Sequence, residues 1–281
     1  MARRLHASGL NLVLWNRDQA KAETIAADLG VPVAGSAADA AGKGDVVLTS
    51  LADDRALKDV YLQSQGVVEG VRAHTVVVDT STVDPQTVDE VGAAVDEAGA
   101  GFVDCPVSGS VSSVEAGALT LMAGGDLSHI DQARPVLEAM SSRIVHTGSR
   151  GTGAATKLAV NALVHGLNVA LSEALVLAEQ AGVDRSTAYE VFASGAGGAP
   201  FVHYKRDAYE NPEEAAVAFT LDLVAKDLEL ITGLAHRVGA PMHQAETGLE
   251  IVNAAREAGL GQSDLSAIAV YLRNSIETEP S

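Results

Sequence analysis

Between residues 10 and 148 the chain alternates short, Val-rich apolar runs with amphipathic stretches, and from Gly151 onward the apolar runs give way to Ala, Leu and Glu at helical spacing. Strands are predicted at 10–15, 31–34, 45–50, 74–79, 101–104, 119–123 and 144–147, each a short apolar run closed by turn-forming residues. Helices are predicted at 1–8, 18–29, 36–41, about 53–63, 84–98 and about 128–140, the first stopped by Gly9 in a left-handed conformation. Strand and helix taking turns at this spacing predicts an α/β fold, a doubly wound and mostly parallel sheet covered on both faces. Every later segment reads as helix: 151–182, 184–194, roughly 200–209, 219–238, 241–258 and 264–273. The change of composition puts a boundary near Ser149, giving an α/β domain over 1–149 and an all-α domain over 150–281, joined through the long helix. Residues 277–281 are expected to fray.

That long helix has an unusual pattern. Apolar residues at Ala159, Val160, Leu163, Val164, Leu167, Ala170, Leu171, Ala174, Leu175 and Ala178 form a band too wide for a surface helix, so most of its circumference is expected to be buried. Its polar residues fall on one line, Lys157, Asn161, His165, Asn168 and Ser172, in steps of four, four, three and four. The stripe holds no Asp or Glu, and Lys157 is its one permanent charge. Two readings stand: a partly exposed Lys beside a buried Asn, or a cation and an amide projecting together to grip an oxygen-rich small molecule. Gly151 and Gly153 favour the second, since glycines ahead of a helix permit close approach of a backbone or ligand.

Composition narrows the function classes. The 281 residues are 47% hydrophobic and 20% charged, which fits two soluble globular domains. A net charge of -18 argues against non-specific nucleic-acid binding. A small anion would instead need a local basic pocket. Cys105 is the only cysteine, so no intramolecular disulfide forms. No apolar run reads as long enough to cross a bilayer and no signal segment opens the chain, so no membrane partner and a cytoplasmic location are expected.

In an open parallel sheet, ligands sit beyond the carboxyl ends of the strands. Those ends here are Asn16-Arg17, Ser50-Leu51, Thr80-Ser81-Thr82 and Cys105 to Gly109, a set of small hydroxyls, backbone and one Arg suited to sugar and phosphate oxygens. Where an acidic residue would hold a ribose 2'-hydroxyl, Asn16 and Arg17 could pair with a 2'-phosphate, so NADP(H) is preferred and NAD(H) remains possible. The alternative is an Arg with no ligand. A glycine-rich phosphate loop is not found, and its expected place is immediately before Met1. Cys105 has no catalytic His beside it and reads as an inert core thiol. His165 reads as a core histidine or a proton shuttle. His236 and His243 lack the spacing of ligands, so no metal is predicted.

The motifs MARRLHASGLNLVLWNRDQAKAE, DTSTVDP, DCPVSGSVSSVEAGALTLMAGG, GTGAATKLAVNALV and FTLDLVAKDLEL, in this order, resemble the β-hydroxyacid dehydrogenase family across nearly the whole chain. The resemblance implies a Rossmann-type domain followed by an all-helical one, a homodimer or homotetramer, and NAD(P)-dependent interconversion of a small β-hydroxyacid with its semialdehyde or keto form. It implies that Lys157 is the catalytic lysine, that Asn161 supports the substrate, and that Ser108 and Gly109 hold the substrate carboxylate. Arg17, Leu51, Thr82 and Lys226 would line the dinucleotide, with Asp227 beside Lys226 at the closing edge of the cleft. Ser110 and the run Ser112 to Glu115 replace glycines and alanine of the family pattern, which bears on substrate class.

The chemistry agrees. Carbonyl reduction needs a hydride on carbon and a proton on oxygen, and only the first comes from the cofactor. Lys157, its pKa expected to fall through burial between domains, fits the proton donor. The backbone from Val107 to Ser110, read as a turn after a strand, is a candidate carboxylate seat. Two other readings are an imine reductase, against which Lys157 counts because those enzymes usually carry Asp or Tyr there, and a non-catalytic binding or scaffold relative lacking the phosphate loop.

Overall fold

The computed structural model describes residues 1–277 and divides the chain into two compact units, Met1–Lys157 and Leu158–Ser281. The expected fraying of residues 277–281 lies, beyond Glu277, outside the described residues. In the first unit the helices are α1 (Ala2–Ala7), α2 (Gln19–Leu29), α3 (Ala37–Ala41), α4 (Asp54–Leu62), α5 (Val67–Gly70), α6 (Pro85–Glu97), α7 (Val111–Ala116) and α8 (Leu127–Met140). The strands are β1 (Val46–Thr49), β2 (Val76–Asp79), β3 (Gly101–Asp104), β4 (Val107–Ser108), β5 (Leu119–Gly124) and β6 (Ser141–Gly148). Local chemistry sets the ends: Ser36 and Asp53 cap α3 and α4 by accepting from Asp39 N and Ala56 N, and Asp84 does so for α6, which has Pro85 in its first turn. Gly9 and Gly30 end α1 and α2 at φ of 83° and 67°.

The sheet order is β1-β2-β3-β5-β4, with β6 also on β5. The pairs β1/β2, β2/β3 and β5/β6 are parallel, while β5 runs antiparallel to β3 and β4. The reversal follows from a connection only long enough for the six-residue α7. Helices cover both faces: Val77 packs with Leu57, Tyr61, Val88 and Val91 on one side, and Val76 and Val78 with Ile130, Ala133 and Leu137 on the other. This is the doubly wound, Rossmann-type layer.

The predicted strands at 10–15 and 31–34 shrink to a single parallel bridge, Leu14↔Val33. Val31 to Ala34 gives one rung before Gly35 and Ser36 turn the chain into α3, and β1 pairs only with β2. The stretch still packs as an extended segment, with Leu10 and Leu12 against one core cluster and Trp15 against the other.

Helix α9 (Thr152–Gln180) begins in the first unit and continues into the second, which also holds α10 (Arg185–Ser194), α11 (Pro200–Glu210), α12 (Leu221–Val238), α13 (His243–Ala255) and α14 (Ala267–Glu277). The helix predicted over 241–258 is shorter, because the chain passes into a π-helical turn, Arg256–Leu260, where Gly259 sits at φ 90°. Helix α9 overturns one expectation. It is long and apolar enough to cross a membrane by length and composition alone, although half of that window is buried inside the protein. Most of its circumference is at least partly covered, as expected, but one narrow face stays open: Leu163 and Leu177 are 75% and 72% exposed, with Ala159 and Ala170 on the same face. The face turned inward is the polar stripe, Asn161, His165, Asn168 and Ser172, all buried. Burial of polar groups is tolerated where each finds a fixed partner.

Candidate active site

Those partners divide the stripe in two. Toward its C-terminal end, Asn168 donates to Leu265 O (3.0 Å) and accepts from Tyr209 OH (2.5 Å), and Ser172 donates to Asn168 O (2.8 Å), which knits the helical core. Toward its start, the stripe converges on Asp227, 1% exposed on α12. Asn161 Nδ2 donates to Asp227 Oδ2 at 2.6 Å, His165 Nε2 lies 3.4 Å from the same oxygen, and Lys226 Nζ lies 2.7 Å from Oδ1. Burial pushes the Asp227 carboxyl up, but the His165 hydrogen bond and the Lys226 ammonium hold it below the ordinary carboxylate range. An ionised carboxylate only accepts, so this contact fixes which way the Asn161 amide points and leaves its Oδ1 as the free acceptor end. Lys157 stands half-buried one turn before Asn161 on the same helix.

The carboxylate-seat candidates lie in the α/β unit. Val107 and Ser108, read as a turn, form β4, pairing with Leu121 and Thr120. The two-residue strand commits much of their backbone to the sheet, and Ser110 N is taken by Ser113 Oγ (3.1 Å) in the capping box of α7. What remains is narrower than predicted: the half-buried Ser108 hydroxyl, which makes no hydrogen bond among the described residues, and the exposed backbone of Gly109. Gly109 is required there, since its φ is 140° and a Cβ would lie 2.8 Å from Leu119 and 2.9 Å from Ser113.

Asn16 and Arg17 line one cavity of about 370 Å³ together with Gly35, Ser36, Val60 and Gln65. Asn16 Oδ1 accepts from Asp18 N (2.9 Å), an Asx turn that leads into α2. Arg17 is exposed and has no ion pair or hydrogen bond among the described residues. Leu51 and Thr82 lie outside that lining, after β1 and β2, where a buried chain of hydrogen bonds positions their loops. Tyr61 OH lies 2.7 Å from Thr49 Oγ1, Thr49 and Ser81 both donate to Asp79 Oδ1 (2.7 and 2.6 Å), and Leu51 N donates to Ser81 Oγ (2.9 Å). Asp79 is 1% exposed with no cation beside it, and burial pushes its carboxyl up to about 6.

Residue-type reasoning passed over Asp79 and Asp104, each the last residue of a strand and paired to each other in register. Asp104, also 1% exposed, accepts from Gly151 N (2.9 Å) and Ala154 N (2.8 Å) at the start of α9, and burial raises its carboxyl against those amides. The available signal was an Asp closing each of two Val-rich or aromatic strands. Cys105 is fully buried, its thiol pushed up to about 12 by burial first and by Asp104 next, so it is no nucleophile at neutral pH. His236 and His243 sit near Glu246, and no cluster of three or more ligand-type side chains exists among the described residues.

Residues 1–148 match the family described as the NAD binding domain of 6-phosphogluconate dehydrogenase, and residues 151–272 the family described as NAD-binding of NADP-dependent 3-hydroxyisobutyrate dehydrogenase. The chain belongs to the β-hydroxyacid dehydrogenase family. Its members are NAD(P)-dependent dehydrogenases and reductases, and this chain is an oxidoreductase of that kind. A 2-(hydroxymethyl)glutarate dehydrogenase of Eubacterium barkeri is 33% identical over 81% of this chain and 76% of its own. Solved structures of 3-hydroxyisobutyrate dehydrogenases agree. That of Salmonella typhimurium has a TM-score of 0.87 at 26% identity, covering 96% of this chain and 94% of its own. That of Mycobacterium tuberculosis, solved with L-serine, has a TM-score of 0.83 at 30% identity over 96% and 93%. An imine reductase from Pseudomonas sp., at 20% identity and a TM-score of 0.62, shares the fold alone.

Proposed function

We propose that this dehydrogenase interconverts a small β-hydroxyacid with its semialdehyde or keto form, with Lys157 as general acid and base and NADP(H) as the preferred dinucleotide. The bound nicotinamide supplies or takes up the hydride. Lys157 gives a proton to the carbonyl oxygen in reduction, its ammonium stabilising the charge that develops there, and takes it back in oxidation. Asn161, its amide turned by Asp227, offers Oδ1 as an acceptor for that ammonium or for the substrate hydroxyl. The Ser108 hydroxyl and the Gly109 backbone hold the substrate carboxylate, the group shared by hydroxymethylglutarate, hydroxyisobutyrate and serine in the relatives' names.

The observation that carries this reading is the Asn161–Asp227 contact of 2.6 Å one helical turn from Lys157, which gives a polar stripe a set orientation rather than a solvated one. NADP(H) is favoured by Arg17, an exposed guanidinium without a protein partner among the described residues, beside Asn16 in the 370 Å³ cavity. The exposed face of Ala159, Leu163, Ala170 and Leu177 fits a homo-oligomer, which light scattering would establish. The function itself is tested by steady-state kinetics on a panel of β-hydroxyacids and semialdehydes, with a cyclic imine as contrast. Lys157→Ala is expected to lose at least about 1,000-fold in kcat with dinucleotide affinity within about threefold of wild type. Turnover of the imine alone, or an unimpaired Lys157→Ala, would reject the proposal.

A further inference from the structure

We propose that Asp104 is a positioning residue for the reaction: from the end of β3 its two carboxylate oxygens fix the first turn of α9, and with it the place where Lys157 stands. The inference rests on the proposed role of Lys157. The first turn of a helix leaves several N–H groups without intrahelical acceptors, and these are usually met by the residue just before the helix. Here they are met across the fold. Asp104 Oδ1 accepts from Gly151 N at 2.9 Å and Oδ2 from Ala154 N at 2.8 Å, contacts spanning 47 and 50 residues of chain.

The surrounding backbone leaves this start no freedom. A Cβ on Gly153 would lie 2.5 Å from Met122 O and 2.6 Å from Asp104 O, and a Cβ on Gly124 would lie 2.6 Å from Asp104 Oδ1 and 2.8 Å from Gly153 N. Gly151 enters the turn at φ 85°. The glycines ahead of α9 are therefore there to let strand and helix backbones meet around one carboxylate, a protein contact rather than a ligand contact.

Lys157 follows Ala154 by three residues, so it lies on nearly the same side of the helix about 4.5 Å further along the axis. Ser108 follows Asp104 by four residues of chain, as the last residue of β4. One buried carboxylate thus ties the segment carrying the carboxylate seat to the segment carrying the proton donor, through hydrogen bonds on one side and the chain on the other. A carboxylate can accept from both amides at once; Asn or Ser keeps one acceptor and loses the second bond.

Asp104→Asn and Asp104→Ser, two N-cap residues of different size, test this in the full chain. Both are expected to lower kcat about 10- to 100-fold, the scale on which a misplacement of order 1 Å acts, with dinucleotide affinity by fluorescence titration changed less than about threefold. The deciding comparison is with Lys157→Ala. If Asp104 acts through Lys157, adding Asp104→Asn to Lys157→Ala changes the residual rate by less than about twofold, while the Tm shift of Asp104→Asn is the same in both backgrounds. A multiplicative loss in the double variant, or unchanged kcat with lowered Tm in both single variants, would reduce Asp104 to a structural cap. An active Lys157→Ala would overturn the role of Lys157, and this inference with it.

Discussion

Four aspartates are buried in the described residues, two in each unit, and they behave in opposite ways. Asp79 and Asp104, at the ends of neighbouring strands, are held by hydroxyls and backbone amides, and burial pushes their carboxyls up. Asp227 and Asp264, in the helical unit, are buried as well, yet their carboxyls sit below the ordinary range. Asp227 has His165 and Lys226, and Asp264 has Lys205 at 2.8 Å with the amides of Ala218 and Ser266. Depth is common to all four, and the presence of a cationic or imidazole partner separates the pairs. Neutral donors orient a carboxylate without fully offsetting its desolvation, whereas a cation does both.

Lys205, whose side chain is 7% exposed, is the cation on which Asp264 depends. Lys205→Met leaves Asp264 buried without its cation and is expected to cost about 3–5 kcal/mol in denaturant unfolding. The double variant Lys205→Met/Asp264→Leu should recover most of that. A loss in the single variant below about 1 kcal/mol would mean that the amides alone hold Asp264.

Asp79 sharpens the other side. Its folded pKa of about 6 lies above the ordinary aspartate value of 3.8, so between these values the native state binds more protons than the unfolded one. Stability from this group is complete below the unfolded pKa and is lost as pH rises through the folded one, by up to about 3 kcal/mol. Asp79→Asn does not titrate, so the stability of wild type relative to this variant should decline as pH goes from 4 to 7. A difference that stays flat, or moves the other way, contradicts the assignment.

Arg17 is the surface case, a cation with no protein acceptor among the described residues. Arg17→Ala is expected to lower kcat/KM for NADPH about 10-fold and that for NADH less than about threefold, since a charge-assisted hydrogen bond is worth roughly 1.5–3 kcal/mol before solvent screening. Equal losses with both dinucleotides would remove the argument for NADP(H).

The helices were legible because their signals are local: Asp, Ser and Gly at the ends of α2, α3, α4 and α6, and apolar residues at fixed intervals. The polar stripe was legible too, though which side of α9 faced inward was not. The apolar band favoured burying Ala159, Leu163 and Ala170, and the decision was made instead by Asp227, Tyr209 and Leu265, which lie far along the chain. The same distance hid Asp104 as the cap of α9. Short elements escaped for a different reason. Helices α5 and α7 have four and six residues, too few for periodicity to appear, and the apolar run at 10–15, read as a strand, had one rung to pair with.

The claim on which the rest depends is that an amine at position 157 moves the proton, and chemical rescue measures it directly. Lys157→Ala would be assayed at saturating dinucleotide and substrate with increasing methylamine. A rate that rises with amine concentration, absent in wild type and in Asp104→Asn, is the predicted result. A Lys157→Ala enzyme that turns over like wild type without added amine would contradict it.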